Sequence, residues 1–221
     1  MSVAESPETA DSMVWRRTDT APPYLSWCLI VRNAAATLEA TLRSIRERTP
    51  DAEIVIVDTM SRDSSPEIAK RYADVWVEWR GPNDAWDRDM PWFSDAAAAR
   101  AMSFELASGT WRAWIDSDDR LPGPEEAERL LKLNARWQPA SGQVVEGGEP
   151  VGLEDLLRQV EQRYPAADCI WAPYLYARDK SDQAYVWQER ERIIKWSTKW
   201  RWAAKAHEIL VPVEGYKPPV R

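Results

Sequence analysis

Seven consecutive residues, Leu25 to Val31 (LSWCLIV), carry almost no polar side chain on either alternating face, so a strand there has to be covered on both sides. Ile54 to Val57 is a second such run, closed by Asp58, and Val75 to Trp79 is a shorter third. Between the first two, Leu38, Leu42 and Ile45 recur at helical spacing within Ala34 to Arg48, a stretch that ends before Thr49-Pro50. Ser64 or Ser65 with Pro66 supplies the cap and first-turn proline of a second helix through Tyr72. Doubly covered strands alternating with helices predict parallel β-α-β units with right-handed crossovers, wound into an α/β sheet.

Farther along, the loop RGPNDAWDRDMPWF leads into an alanine-rich helix, Asp95 to Ser108, stopped by Gly109. Trp111 to Ile115 is then a fourth strand, and it runs directly into Asp116, Ser117, Asp118 and Asp119. Those acids are expected at the carboxyl end of a strand, the edge where open α/β sheets bind ligands. A helix is expected past Pro122 through Leu133, a Pro/Gly-rich loop from Pro139 to Pro150, and another helix from Leu153 to Tyr164. CIWAPYLYAR and QAYVWQERERIIK flank DKSD and read as a two-stranded ribbon. The first 23 residues, rich in Pro, Ser, Thr, Asp and Glu, read as a poorly ordered tail ahead of one domain over 24–221.

The 221 residues suffice for one sizeable α/β domain, and 44% hydrophobic with 29% charged residues supports a packed core with a solvated surface. A net charge of −7 argues against a broad grip on a nucleic-acid backbone, and it means that an anionic ligand needs a metal or focused cations. No apolar stretch has the length of a signal peptide or a membrane span, so no membrane partner and a cytoplasmic protein are expected. Cys28 and Cys169 each belong to an apolar run and read as free, small hydrophobes. Fourteen Trp are mostly core or interface filler, and the Trp-rich segment Lys195 to Trp202 reads as packing ahead of a sugar-stacking surface.

SWCLIVRNAAATLEATLRSI, IVIVDTMSRDSSPEIAKRYA, DAAAARAMSFELASGTWRAWIDSDDRL and AKAHEIL together resemble family 2 glycosyltransferases of the GT-A fold. The resemblance implies a Rossmann-like, mostly parallel sheet with flanking helices and a C-terminal β-ribbon and tail. It divides the domain into a nucleotide-sugar-binding half, 24–121, and an acceptor-side half, 122–221. Val31, Arg32 and Asn33 match the loop around the donor's base and ribose, Asp58 the acid that reads a uracil-type edge, and Arg100 the arginine of the alanine-rich helix. Asp116 matches the acid facing the ribose, Asp118 the ligand of Mn(II) or Mg(II), and His207 a late histidine at the metal or diphosphate. The chain departs from the pattern at Ala96-Ala97, where relatives often carry Phe-Ser, and at Ala101, where they carry Asn.

The activity so implied is metal-dependent, inverting transfer of a sugar from a nucleotide-diphosphate donor, with a UDP-sugar favoured, to an acceptor hydroxyl. A carboxylate must then take the hydroxyl proton. Glu208 is the first candidate, and Asp84, Asp87, Asp89 and Glu189 are alternatives. A protein, a glycan, a small molecule or a modified nucleobase all remain open as acceptor, as does the oligomeric state. A rival reading is a non-catalytic nucleotide-sugar or glycan-binding module on the same fold. A sugar nucleotidyltransferase fits less well, because its phosphate loop is glycine-rich and Leu25 to Asn33 contains no Gly.

Overall fold

The structure is a computed structural model that describes residues 13–16, 23–80, 95–125, 152–178, 184–197, 199–204 and 208–216. In chain order the elements are β1 (Met13–Arg16), β2 (Leu25–Val31), α1 (Leu38–Arg48), β3 (Glu53–Asp58), α2 (Ser65–Tyr72), β4 (Val75–Glu78), α3 (Ala96–Leu106) and β5 (Trp111–Trp114). They continue with α4 (Leu153–Arg163), β6 (Cys169–Arg178), β7 (Ala184–Lys195), β8 (Trp200–Ala203) and β9 (Ile209–Pro212). One sheet runs β1-β4-β3-β2-β5-β7-β6, and β8-β9 form a separate ribbon. Its centre, β4-β3-β2-β5, is parallel, and both edges are antiparallel additions.

All six residues of β3 are buried, because apolar layers lie on both faces of the parallel core. On one face α1 contributes Leu38, Leu42 and Ile45, α2 Ile68 and Ala69, and α4 Leu157, against Leu29, Ile54 and Ile56. On the other, Phe104 of α3 and Trp200, Trp202 and Leu210 of the ribbon pack on Cys28, Val55 and Trp114. Successive strand residues point to opposite faces, so the unbroken run Ile54–Val57 feeds both layers in turn. The Trp-rich segment is packing, as expected: Trp202 meets Phe104 and Trp114 edge-on at centroid distances of 5.3 and 5.8 Å.

Two expectations need revision. The tail includes a strand, since Met13–Arg16 pairs antiparallel with Val75–Glu78 and covers the free edge of β4. Helix α1 begins at Leu38 and not at Ala34, because the amides of Ala34 and Ala35 donate to Ser65 Oγ and Asp63 Oδ2 and thereby hold residues 34–37 in a turn. The helix expected past Pro122 falls largely outside the described residues. Cys28 and Cys169 are free, and burial pushes the Cys28 thiol up, so it stays an inert apolar group.

Chain order and sheet order together fix where a ligand sits. From β2 the chain steps to β3 and β4 on one side, then returns to β5 on the other. The carboxyl ends of β2 and β5 therefore flank a topological switch point, the crevice that doubly wound sheets use for binding.

Candidate functional site

Val31 lies in register with Asp58, so the ends of β2 and β3 open side by side. Asp58 is fully buried. Its Oδ1 accepts from the Ser61 amide at 2.7 Å, and its Oδ2 has no hydrogen-bond partner among the described residues. Burial raises the Asp58 carboxyl above the usual aspartate range, against the pull of the Ser61 bonds. The turn that brings Ser61 back passes through Met60 at φ 68°, a left-handed conformation disfavoured for a side chain of this kind.

The neighbouring loop is stitched to this one. Arg32 Nη1 donates to Thr59 O at 2.5 Å, Asn33 N donates to Ser61 Oγ at 2.9 Å, and Arg62 N donates to Asn33 Oδ1 at 2.8 Å. Asn33 adopts φ 49°, which Asn tolerates better than most residues. Val31, Arg32 and Asn33, matched by resemblance to one loop, and Asp58, matched separately, thus form one wall.

Across the switch point, β5 ends at Trp114 and the acids follow. Thr41 Oγ1, on α1, lies 3.0 Å from Ser117 O and 2.6 Å from Asp119 O, so its one proton serves the two carbonyls in turn. Ser44 Oγ accepts from the Leu121 amide at 3.0 Å. Helix α1 therefore holds the acidic turn from its far side. Asp118 is exposed, whereas Asp119 accepts from Tyr174 Oη at 3.1 Å and lies 3.8 Å from Arg192 Nη2. Burial, then the charge of Asp116, raises the Asp119 carboxyl. Burial with Asp119 alongside pushes the Tyr174 phenol up to about 12, which keeps it a hydrogen-bond donor.

Arg100 lies beneath the edge. Its guanidinium is fully buried, with the ring of Trp114 at 4.8 Å and that of Trp202 at 5.8 Å. Nη2 donates to Asp116 Oδ1 at 2.7 Å and to Glu208 Oε1 at 2.8 Å, while Nε donates to Glu208 Oε1 at 3.1 Å and Nη1 to Cys28 O at 3.4 Å. Burial opposes its charge, and the two carboxylates more than offset that. Arg190 Nη2 also donates to Glu208 O at 3.5 Å.

Asp58, Asp116, Asp118, Glu208 and the loop 31–33 thus gather at one edge, with Arg100 enclosed under it. His207, Asp84, Asp87 and Asp89 lie outside the described residues, and Glu189 lies on β7. Thr41, Tyr174 and Arg192 escaped the reading of the sequence. A threonine on the apolar face of α1 was a faint signal for the first, but the other two depend on the register of β6 with β7, which residue types do not reveal. Among the described residues no three His, Cys, Asp or Glu side chains converge as a metal cage. The exposed hard oxygens of Asp118 do fit a cation that takes its remaining ligands from phosphate oxygens and water, as Mg(II) and Mn(II) do.

Residues 26–168 match the family profile described as Glycosyl transferase family 2. EpsH of Bacillus subtilis, described as a glycosyltransferase candidate, is 32% identical over 111 residues, covering 50% of this chain and 30% of that protein. A TPR repeat-containing protein of Synechococcus elongatus is 30% identical over 101 residues, covering 46% of this chain and 22% of its own. The chain spans less than a third of the length of these curated relatives. Among solved structures, S. aureus TarS 1-349 in complex with UDP gives a TM-score of 0.34 at 17% identity, covering 49% of this chain and 32% of that one. The mannosyltransferase PcManGT from Pyrobaculum calidifontis, in complex with GDP-Man and Mn2+, gives 0.36 at 23% identity, covering 51% and 33%.

Proposed function

Because the chain belongs to glycosyl transferase family 2, we propose that it transfers a sugar from a nucleotide-diphosphate donor, a UDP-sugar before others, to an acceptor hydroxyl with inversion at the anomeric carbon. The observation that carries the donor class is Asp58: a fully buried carboxylate whose Oδ2 has no hydrogen-bond partner among the described residues, at the end of a strand beside the switch point. A buried acceptor left unpaired is costly, and an N–H on the edge of a uracil ring pairs it. Val31, Arg32 and Asn33 pack the base and ribose in this reading, and Asp116 faces the ribose.

Asp118, with His207 as the further ligand that family resemblance implies, would hold Mn(II) or Mg(II), which would supply positive charge toward the departing diphosphate. The acceptor oxygen forms its bond to the anomeric carbon from the opposite face as the bond from that carbon to the diphosphate oxygen breaks. Glu208 takes the hydroxyl proton, so the diphosphate leaves with the bonding electron pair and the acceptor ends neutral. Asp84, Asp87, Asp89 and Glu189 are the other groups for that role.

The test is a panel of nucleotide-diphosphate sugars assayed by nucleoside diphosphate release, with and without Mn(II), alongside calorimetric titration of uridine diphosphate. Metal-stimulated release from a uridine donor is the expected result. Tight binding of uridine diphosphate with no release from any donor would favour a non-catalytic nucleotide-sugar-binding module, and neither binding nor release would refute the donor class.

A further inference from the structure

The resemblance matches Arg100 to the arginine of the alanine-rich helix and places it among the donor-binding residues, yet each hydrogen bond described for its guanidinium ends on protein. Nε and Nη2 converge on Glu208 Oε1, Nη2 also reaches Asp116 Oδ1, and Nη1 meets Cys28 O. The group is 0% exposed, whereas the side chains of Glu208 and Asp116 are 13% and 40% exposed. A phosphate could reach it only by displacing one of those carboxylates. The two belong to distant segments, Asp116 to the turn after β5 and Glu208 to the residue before β9, and one planar cation bridges them.

Resting on the reaction proposed above, we propose that Arg100 is a positioning residue: it binds Asp116 and Glu208 together and so fixes the Glu208 carboxylate beside the donor-binding turn. The geometry requires Arg. A guanidinium presents its donors in a rigid fork that engages Nε and Nη2 at once, and an ammonium is a point charge on a flexible stem that cannot reproduce that fork. Trp114 and Trp202 flank the fork and restrict its rotation. The ribbon β8-β9, packed on α3 through the same Trp202, thereby carries Glu208 to the sheet edge.

The experiment compares the full chain with Arg100→Lys, Glu208→Gln and the double variant. Uridine diphosphate affinity, diphosphate release from the donor and amide exchange of residues 208–211 are measured on each. Arg100→Lys is expected to bind uridine diphosphate within about threefold of the parent and to lose about tenfold or more in kcat with the donor KM held. Because Arg100 acts through Glu208, the double variant should fall no more than about threefold below Glu208→Gln alone. Exchange at 208–211 should quicken in Arg100→Lys while that of α1 is unchanged. A loss of nucleotide affinity of about tenfold in Arg100→Lys overturns the proposal in favour of a direct donor contact, and losses that multiply in the double variant overturn it in favour of independent action. If the parent binds uridine diphosphate but releases nothing, it is the reaction that fails; the exchange data then decide, and protection of 208–211 in Arg100→Lys equal to the parent's overturns the positioning. Should Arg100→Lys not fold, Glu208→Asp replaces it. One methylene shorter, that carboxylate falls short of the fork, so a loss like that of Glu208→Gln is expected and parental turnover overturns the proposal.

Discussion

Replacing Asp58 with Asn separates what the residue does for binding from what it does to stability. Oδ1 already accepts from the Ser61 amide, so the amide oxygen of Asn takes that place and its NH2 stands where Oδ2 was. A uracil N–H then meets a donor. Losing a hydrogen bond to a charged acceptor removes about 1.5–3 kcal/mol, which weakens uridine diphosphate binding by roughly 10- to 150-fold. Stability should move the other way. Burial raises the Asp58 carboxyl in the folded chain, so its contribution to folding is whole below the unfolded value and is lost as pH rises through the folded one. The ionised form is the one that burial penalises, and its second oxygen has no hydrogen-bond partner among the described residues. Removing that charge relieves the desolvation cost of an ion but leaves the amide NH2 without a described partner, so the net gain should be about 1 kcal/mol, a rise of roughly 2–4 °C in melting point for a chain of this size. The gap between variant and parent should narrow as pH falls and Asp58 takes up its proton. Calorimetric titration and melting curves between neutral and mildly acidic pH measure both halves. A variant that binds uridine diphosphate as the parent does, or one that melts lower at neutral pH, would refute the argument.

Asp118→Ala should leave stability within about 0.5 kcal/mol, since the side chain is exposed, and should abolish the gain in uridine diphosphate affinity on replacing chelator with Mn(II); an undiminished gain would move the cation elsewhere. Trp202→Ala should cost about 3–5 kcal/mol in denaturant unfolding, because a 7% exposed indole leaves a cavity between Phe104 and Trp114; a cost under about 1 kcal/mol would detach the ribbon from the core. Gly109→Ala would place a Cβ 2.5 Å from Ser26 Oγ and 2.8 Å from Ser26 N, so a loss of about 1–3 kcal/mol is expected. Nucleotide affinity should not change in that variant, since Gly109 precedes β5 and the acids follow it.

By itself the sequence determined the parallel core of the sheet and the end of it that bears the acids. Unbroken apolar runs such as Leu25–Val31 and Ile54–Val57 leave a strand no solvent face, and the helical spacing of Leu38, Leu42 and Ile45 supplies one of the layers that cover them. Asp58 and Asp116 were legible as residues of the sheet's carboxyl edge because Asp58 closes one strand and Asp116 stands just past another. The antiparallel edges were less so: Met13–Arg16 is a short polar-flanked segment whose strand character comes from the free side of β4. The contacts that organise the site were decided by tertiary structure alone. Arg100 meets Asp116 across 16 residues and Glu208 across 108, Tyr174 meets Asp119 across 55, and Thr41 meets Ser117 across 76. Periodicity reports which face of one element is buried. Which side chains meet between elements depends on crossover direction and strand register, and those are settled only when the layers pack and every buried charge has to find its partner.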